Sequence, residues 1–324
     1  GQQAINAVNE VTGGQTTPDS GNNDSAYQKA FAAAVAAKTA FDMNPDILSM
    51  VPSTDANANN PVYSQAYSAT VYTLSTAYSN GVQQLLSGQP LPANSSTEYT
   101  AGFNDANNGF DNALNGPNYP DTNAYGYVTS GAQQGLAVGQ RALSGYNAAM
   151  QNNTTPTADS VQNDANSGAT AGYKDAISGS KQTDAQLAQT SLAYRKSYAK
   201  AYDDVKNAVL TGSTNFVRGQ TPDKSNSQYS KIMEGYNYSS QGFEYAKSHQ
   251  SKDTTGLTDD QKNNSSYMRG FYAYVDAVIG YNDAQNATSD IAPYNAAYKE
   301  QQRGYEGAID GYRDGKNGTA QYTN

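Results

Sequence analysis

Four glycines, Gly304, Gly307, Gly311 and Gly315, fall three, four and four residues apart in the segment RGYEGAIDGYRDGKNG. That is the spacing of one face of an α-helix. A glycine inside a helix costs about 1 kcal/mol relative to alanine, so a stripe of them persists only where tertiary packing returns more. Small residues let two helix backbones approach closely. The stripe of Ala297, Gly304, Ala308, Gly311 and Gly315 therefore predicts a helix–helix seam, with tyrosines of the neighbouring helix lying across it. Gly131, Gly135, Gly139 and Ala142 make a second stripe, and Ala101, Asp105, Asn108 and Gly109 a weaker one. Frayed C-terminal turns would account for Gly315 and Gly318 but not for Gly304 or Gly311.

A second pattern says where the helices begin. The segments YQKAF (27–31), YSQAY (63–67), YTAGF (99–103), YRKSY (194–198), YMRGF (267–271) and YNAAY (294–298) share tyrosine, two variable residues, a small residue and an aromatic. Tyr229 opens a looser version. Helix-start signals precede them. Asn60–Pro61 and Ala292–Pro293 place proline in a first turn. Ser95-x-x-Glu98 and Thr258-x-x-Gln261 have capping-box spacing. Asp24–Ser25, Ser227 and Ser265–Ser266 offer capping oxygens. Apolar residues then recur at helical intervals, as at Tyr63, Tyr67, Val71, Leu74, Tyr78, Val82 and Leu85. Tracts such as PSTDANANNP and QNNTTPTADS read as loops. The expected helices lie near 25–42, 61–87, 97–115, 123–151, 157–179, 184–211, 227–249, 258–287 and 292–316. The fold class is all-α: eight to nine amphipathic helices in degenerate repeats of roughly 35 residues, packed as tandem helical bundles or an α-solenoid. A charge break suggests an acidic bundle at 1–156 (net −7) and a second at 157–324 (net −2), with 1–23 a disordered linker.

Composition excludes several functions. The net charge is −9 and no basic stripe exists to neutralise phosphates, so nucleic acid is not an expected partner. An anionic membrane surface is disfavoured on the same ground, and no apolar run is long enough to span a bilayer. There is no cysteine, hence no disulfide or thiol chemistry. The sequence opens at Gly1 without a signal-peptide pattern, which reads as a mature product or an excised piece.

Catalytic signals are weak. His249, the single histidine, sits at an expected helix end, where a cation complements the helix dipole. One histidine and no cysteine leave zinc and copper without ligands, and Asp310–Gly318 lacks the spacing of a calcium loop. The adjacent acids Asp203–Asp204 and Asp259–Asp260 read as solvated faces or helix starts. No catalytic, cofactor or metal site is expected. Aromatics are the better candidates for binding, although most of the 27 tyrosines must build the core. Tyr236, Tyr238, Phe243 and Tyr245 crowd one segment, Tyr272 and Tyr274 another. Tyr72, Tyr238 and Tyr272 fall off the main stripes and are the expected ligand-contact residues.

The segments YNAAYKEQQRGYEGAIDGYRDGKNG (294–318) and YTAGFNDANNGFDNALNG (99–116), set among Asn/Ser/Thr-rich loops, resemble repeats in large secreted or wall-attached surface proteins of lactobacilli and relatives. The resemblance implies an extracellular, cell-surface, non-enzymatic adhesion or aggregation module, with host mucin, matrix or glycan, or the protein itself, as partner. It transfers no binding residue, because the shared positions are those that build helices. A passive stalk displaying another domain is the alternative, and a glycan-processing or glycan-binding domain a third.

Overall fold

The computed structural model describes residues 1–47, 50–116, 122, 125–251, 253–286 and 299–317. Among them are helices and no strand, so the chain is all-α. The long helices are α1 (Gln2–Thr12), α2 (Ser25–Met43), α3 (Pro61–Leu86), α4 (Thr97–Asn115), α5 (Ser130–Met150) and α6 (Ser160–Ser178). After the single turn α7 (Asp184–Leu187) come α8 (Leu192–Val217) and α9 (Tyr229–His249). The short α10 (Asp259–Asn263) precedes α11 (Ser265–Asn286) and α12 (Lys299–Asn317).

Side-chain caps set most of the starts. Asp24 accepts from the amides of Ala26 and Tyr27, and Asn60 from those of Val62 and Tyr63, with Pro61 in the first turn. Thr258 and Gln261 form a full capping box on α10. Other starts differ from expectation. Ser96, not Ser95, caps α4, and Glu98 turns instead to Lys38 of α2, 2.9 Å away. Asn264 ends α10 and its Oδ1 accepts from the Tyr267 amide, so the expected 258–287 helix is two helices. The α9 start at Gln228 has no side-chain cap, leaving Ser227 without that role. Ala292–Pro293 and Ala297 lie outside the described residues.

Residues 1–23, expected as a linker, contain α1. Its Ala7, Val8 and Val11 are buried in one core with Tyr27, Phe31 and Ala34 of α2 and Tyr63, Tyr67 and Val71 of α3. Tyr27 ties the segment down further: its hydroxyl donates to Glu10 at 2.5 Å and accepts from the Asp19 amide.

The chain divides into two compact units, residues 1–169 with 183–198, and residues 170–182 with 199–324. Two of the three boundaries fall inside continuous helices, α6 and α8, and the third lies between α6 and α7. In the first unit α1 to α5 pack each on the next. In the second, α11 packs against both α9 and α12, and Phe216, Tyr236, Phe243 and Tyr274 meet edge-to-face at 5.3–5.8 Å.

Glycines make the seams, but by a tighter contact than tyrosines lying on a flat face. A Cβ on Gly81 of α3 would stand 1.9 Å from the Tyr99 carbonyl oxygen of α4, and one on Gly102 of α4 would stand 2.0 Å from the Tyr78 oxygen of α3. Each glycine thus faces the carbonyl three residues before the other. The same exchange joins Gly109 with Gly135, Gly212 with Gly235, Gly242 with Gly270, and Gly280 with Gly304. Only glycine lets two helix backbones meet at such separations. A tyrosine ring does cover Gly131, where a Cβ would lie 2.6 Å from the Tyr78 hydroxyl. Gly139 meets the Phe110 carbonyl of α4, completing the expected α5 stripe. The expected α12 stripe is only partly a seam. Gly304 packs on Ala277, whereas Gly311 has open space where a side chain would grow, because no described helix crosses α12 there.

The seams expose a larger correspondence. Helices α3 and α8 are both 26 residues long, and their Tyr63/Tyr194, Ala66/Ser197, Tyr67/Tyr198 and Gly81/Gly212 occupy equivalent places. Gly88 and Gly219, both at positive φ, follow at the same distance. The seam glycines are seven residues apart in α4 (102, 109) and in α9 (235, 242), and ten apart in α5 (135, 145) and in α11 (270, 280). Helices α6 and α12 are both 19 residues long, and GATAGYKD (168–175) of α6 matches GAIDGYRD (307–314) of α12. One four-helix pattern therefore occurs twice, first as α3–α6 and again as α8, α9, α11 and α12.

Candidate functional site

The two copies are not equally dressed. In the second unit, a cleft of about 420 Å³ opens between the C-terminal part of α6, α9, α10 and the start of α11. Tyr238 of α9 and Tyr267 of α11 supply aromatic walls; Lys174, Ser178, Gln241, Asp260, Gln261 and Asn264 supply polar groups. Capping chemistry presents two of these amides at the cleft. Gln261 faces inward because its Oε1 accepts from the Thr258 amide (2.9 Å) while its Nε2 donates to the Tyr267 hydroxyl (3.1 Å). Asn264 is held by its bond to the Tyr267 amide at 3.0 Å. Nearby, the Tyr173 hydroxyl donates to Glu234. Burial, with the Glu234 hydrogen bond adding to it, pushes the Tyr173 phenol above its ordinary range. Burial beside the same carboxylate raises Tyr238 as well. Both phenols stay protonated and act as donors at any ordinary pH.

The structure places the expected contact residues differently. Tyr238 is half-buried and lines the cleft. Tyr272, exposed on α11, makes an edge contact with Phe271 and is not part of the cleft lining. Tyr72 belongs to the first unit and is 73% exposed on α3; its counterpart in α8 is the exposed Asp203. Lys174, Gln261 and Asn264 went unread as site residues. Gln261 was legible as a helix cap, but only the fold shows that its far end reaches a binding surface.

Elsewhere the ionisable groups are engaged structurally. His249, in the last turn of α9, stacks on Tyr245 at 4.2 Å, and its Nδ1 lies 2.9 Å from the Tyr245 carbonyl oxygen. Asp259 and Asp260 sit in the first turn of α10, where the helix dipole favours them, and Asp260 also borders the cleft. Asp204 pairs with Lys200. A cleft of about 330 Å³ in the first unit includes Arg195 and Lys196, but the first donates to the Gly88 carbonyl and the second to Asp111. Among the described residues no group of three or more His, Asp or Glu is placed to hold a metal ion, and no helix is long and apolar enough to cross a membrane.

What the α9–α10–α11 cleft offers is an aromatic surface edged by neutral amides, one ammonium (Lys174) and one carboxylate (Asp260). That chemistry suits a hydroxyl-rich or peptide ligand held by stacking and hydrogen bonds. No family model, curated protein or solved structure matches this chain.

Proposed function

We propose that the protein is a non-enzymatic, extracellular module of a bacterial surface protein, binding mucin, matrix or glycan through neutral polar and aromatic contacts, or associating with itself. The observation that carries this reading is the cleft of Tyr238 and Tyr267 with Gln241, Gln261 and Asn264 at its edge. Its side chains are those that recognise sugars and peptides, and none of them is paired as nucleophile and base. The net charge of −9 works against binding to sialylated or sulfated mucins at neutral pH, so acidification should strengthen that contact. A screen of the full chain against immobilised mucins, collagens and glycans tests the reading. Binding that Tyr238→Ala reduces at least tenfold supports it, and no ligand across the arrays at pH 4–7 rejects it.

A spacer displaying another domain is the second reading. It is favoured by the recurrence of glycine–carbonyl seams from α3 to α12, which suits an array of repeats of roughly 35 residues. An extended small-angle scattering profile with empty arrays would place this reading first.

A further inference from the structure

The internal correspondence extends to the helix that precedes each copy. Helices α2 and α6, each 19 residues long, lie before α3 and α8. The buried Ala30, Ala33, Ala34, Ala37 and Phe41 of α2 match the buried Ala165, Gly168, Ala169, Gly172 and Ala176 of α6. Seams fix the register of the other helices: Gly102 faces the Tyr78 carbonyl as Gly235 faces that of Val209, and Gly109 faces that of Ala132 as Gly242 faces that of Tyr267. In the first unit, the end of α2 is closed over. Phe41 packs edge-to-face on Tyr78 of α3 at 6.1 Å, and a Cβ on Gly131 of α5 would touch both the Tyr78 hydroxyl and Val82. Asp46, three residues past α2, accepts a 2.7 Å hydrogen bond from the amide of Ser130, the first residue of α5. A carboxylate there meets the positive end of a helix dipole.

In the second unit each of those four side chains is smaller or of opposite charge. Ala176 replaces Phe41, Val209 replaces Tyr78 and Ser213 replaces Val82. Lys181, three residues past α6, replaces Asp46. The result is a cavity of about 290 Å³ bordered by Ala176, Val209, Ser213 and Ser265, the counterpart of Ser130. It shares no lining residue with the Tyr238 cleft. Lys206 of α8 and Arg269 of α11 line it where the first unit has Ser75 and Gln134, and among the described residues no acid does. Tyr202, in place of Val71, gathers the charge: its ring centre lies 5.3 Å from Lys181 Nζ and 5.5 Å from Lys206 Nζ. Attraction to the ring face holds close two ammoniums that repel one another. Among the described residues none of these three cations is paired with a carboxylate.

We infer that this cavity is an anion-binding site for a phosphate group, free or on a small ester, held by Lys206, Arg269 and Lys181 where the first unit seats its own Asp46 carboxylate. Three cations suit a phosphate of charge near −2 with three acceptor oxygens better than a singly charged carboxylate or sulfate ester. The cavity exceeds a bare phosphate and leaves room for the organic part of an ester. The inference uses a different cavity from the adhesive reading and does not depend on it.

The test titrates the full chain with inorganic phosphate, glucose 6-phosphate and, as the singly charged control, N-acetylglucosamine 6-sulfate, read by calorimetry and by the Ser265 amide resonance. Saturable one-site binding of phosphate, at least tenfold tighter than the sulfate ester and shifting that resonance, is expected. Equal affinity for the two phosphates assigns the free ion, and tighter glucose 6-phosphate an ester. Lys206→Ser combined with Arg269→Gln restores the first unit's residues and should weaken binding at least tenfold. The urea midpoint should not move, because both side chains are exposed. Lys181→Asp, which returns an internal carboxylate, should weaken binding more than Lys181→Gln. No saturable binding of either phosphate overturns the inference, as does a preference for the sulfate ester or binding indifferent to the double substitution.

Discussion

Gly168 and Gly307 hold the same place in two copies of one pattern, followed in each case by a small residue, a glycine four residues on and a tyrosine. The first is pressed against a backbone carbonyl and the second faces open space. The copies also differ in charge. In the first, the buried Glu98 of α4 pairs with Lys38 of the preceding helix α2, and Arg141 grips Asp159 through two hydrogen bonds of 2.6 and 2.7 Å. In the second, Lys231 stands where Glu98 would be and Asp276 where Arg141 would be, so neither pair recurs. The backbone contacts are what the two copies retain; the ionic contacts are local additions. Helix spacing here depends on which positions lack a side chain, and charge adjusts stability around that spacing.

The comparison can be broken most forcefully at a closed seam. Gly235→Leu and its counterpart Gly102→Leu should each destabilise by about 3 kcal/mol or more, because the obstacle to the new Cβ is a backbone carbonyl that cannot rotate aside. Urea unfolding followed by circular dichroism measures it, and a cost in only one of the two would mean that the copies are not equivalent. Acid comes next. The Arg141 hydrogen bonds hold the Asp159 carboxyl down to about 2. Burial alone would raise Glu98, but the Lys38 ammonium outweighs it and the net direction is downward. A carboxylate lowered by folding stabilises above its unfolded value near 4, and that contribution disappears as pH falls through the folded value. The urea midpoint should therefore drop between about pH 4 and pH 2, and Asp159→Asn should flatten the drop.

Smaller effects sharpen the contrast. Ser197 stands in α8 where the closed seams carry glycine, and its buried hydroxyl has no hydrogen-bond partner. Ser197→Ala should gain about 1 kcal/mol by removing that unsatisfied group, read as a raised melting temperature. At the open face, Gly311→Ala should be neutral or gain up to about 1 kcal/mol from helix propensity alone. A loss there would mean that something already covers α12.

Much of the helical layout was legible because it is written locally. Asp24, Asn60 and Thr258 announce helix starts by side chains that reach amides two or three residues on. Helix α1 was not legible, since its cap position is Gly1 and its Gln/Asn-rich face shows only Ala7, Val8 and Val11 as a stripe. The break at Asn264 has neither glycine nor proline to mark it. The small-residue stripe on α12 could be read, but whether Gly304 or Gly311 is covered depends on where another helix passes, and no local pattern encodes that. The candidate cleft failed for the same reason. Tyr238 stood out as off-stripe, while Lys174 and Asn264 join it only when α6, α9 and α11 converge.

The seam spacings have one more consequence. Within helices the intervals of seven and ten residues are kept unchanged between copies, while the stretches joining one seam glycine to the next helix's differ: Gly81 to Gly102 against Gly212 to Gly235, and Gly109 to Gly135 against Gly242 to Gly270. Alignment between neighbouring helices is measured on the helices themselves, so the connecting segments are released from any metric duty. They can lengthen, shorten or change composition without moving the scaffold. A protein built this way can diversify its loops rapidly while its frame stands still.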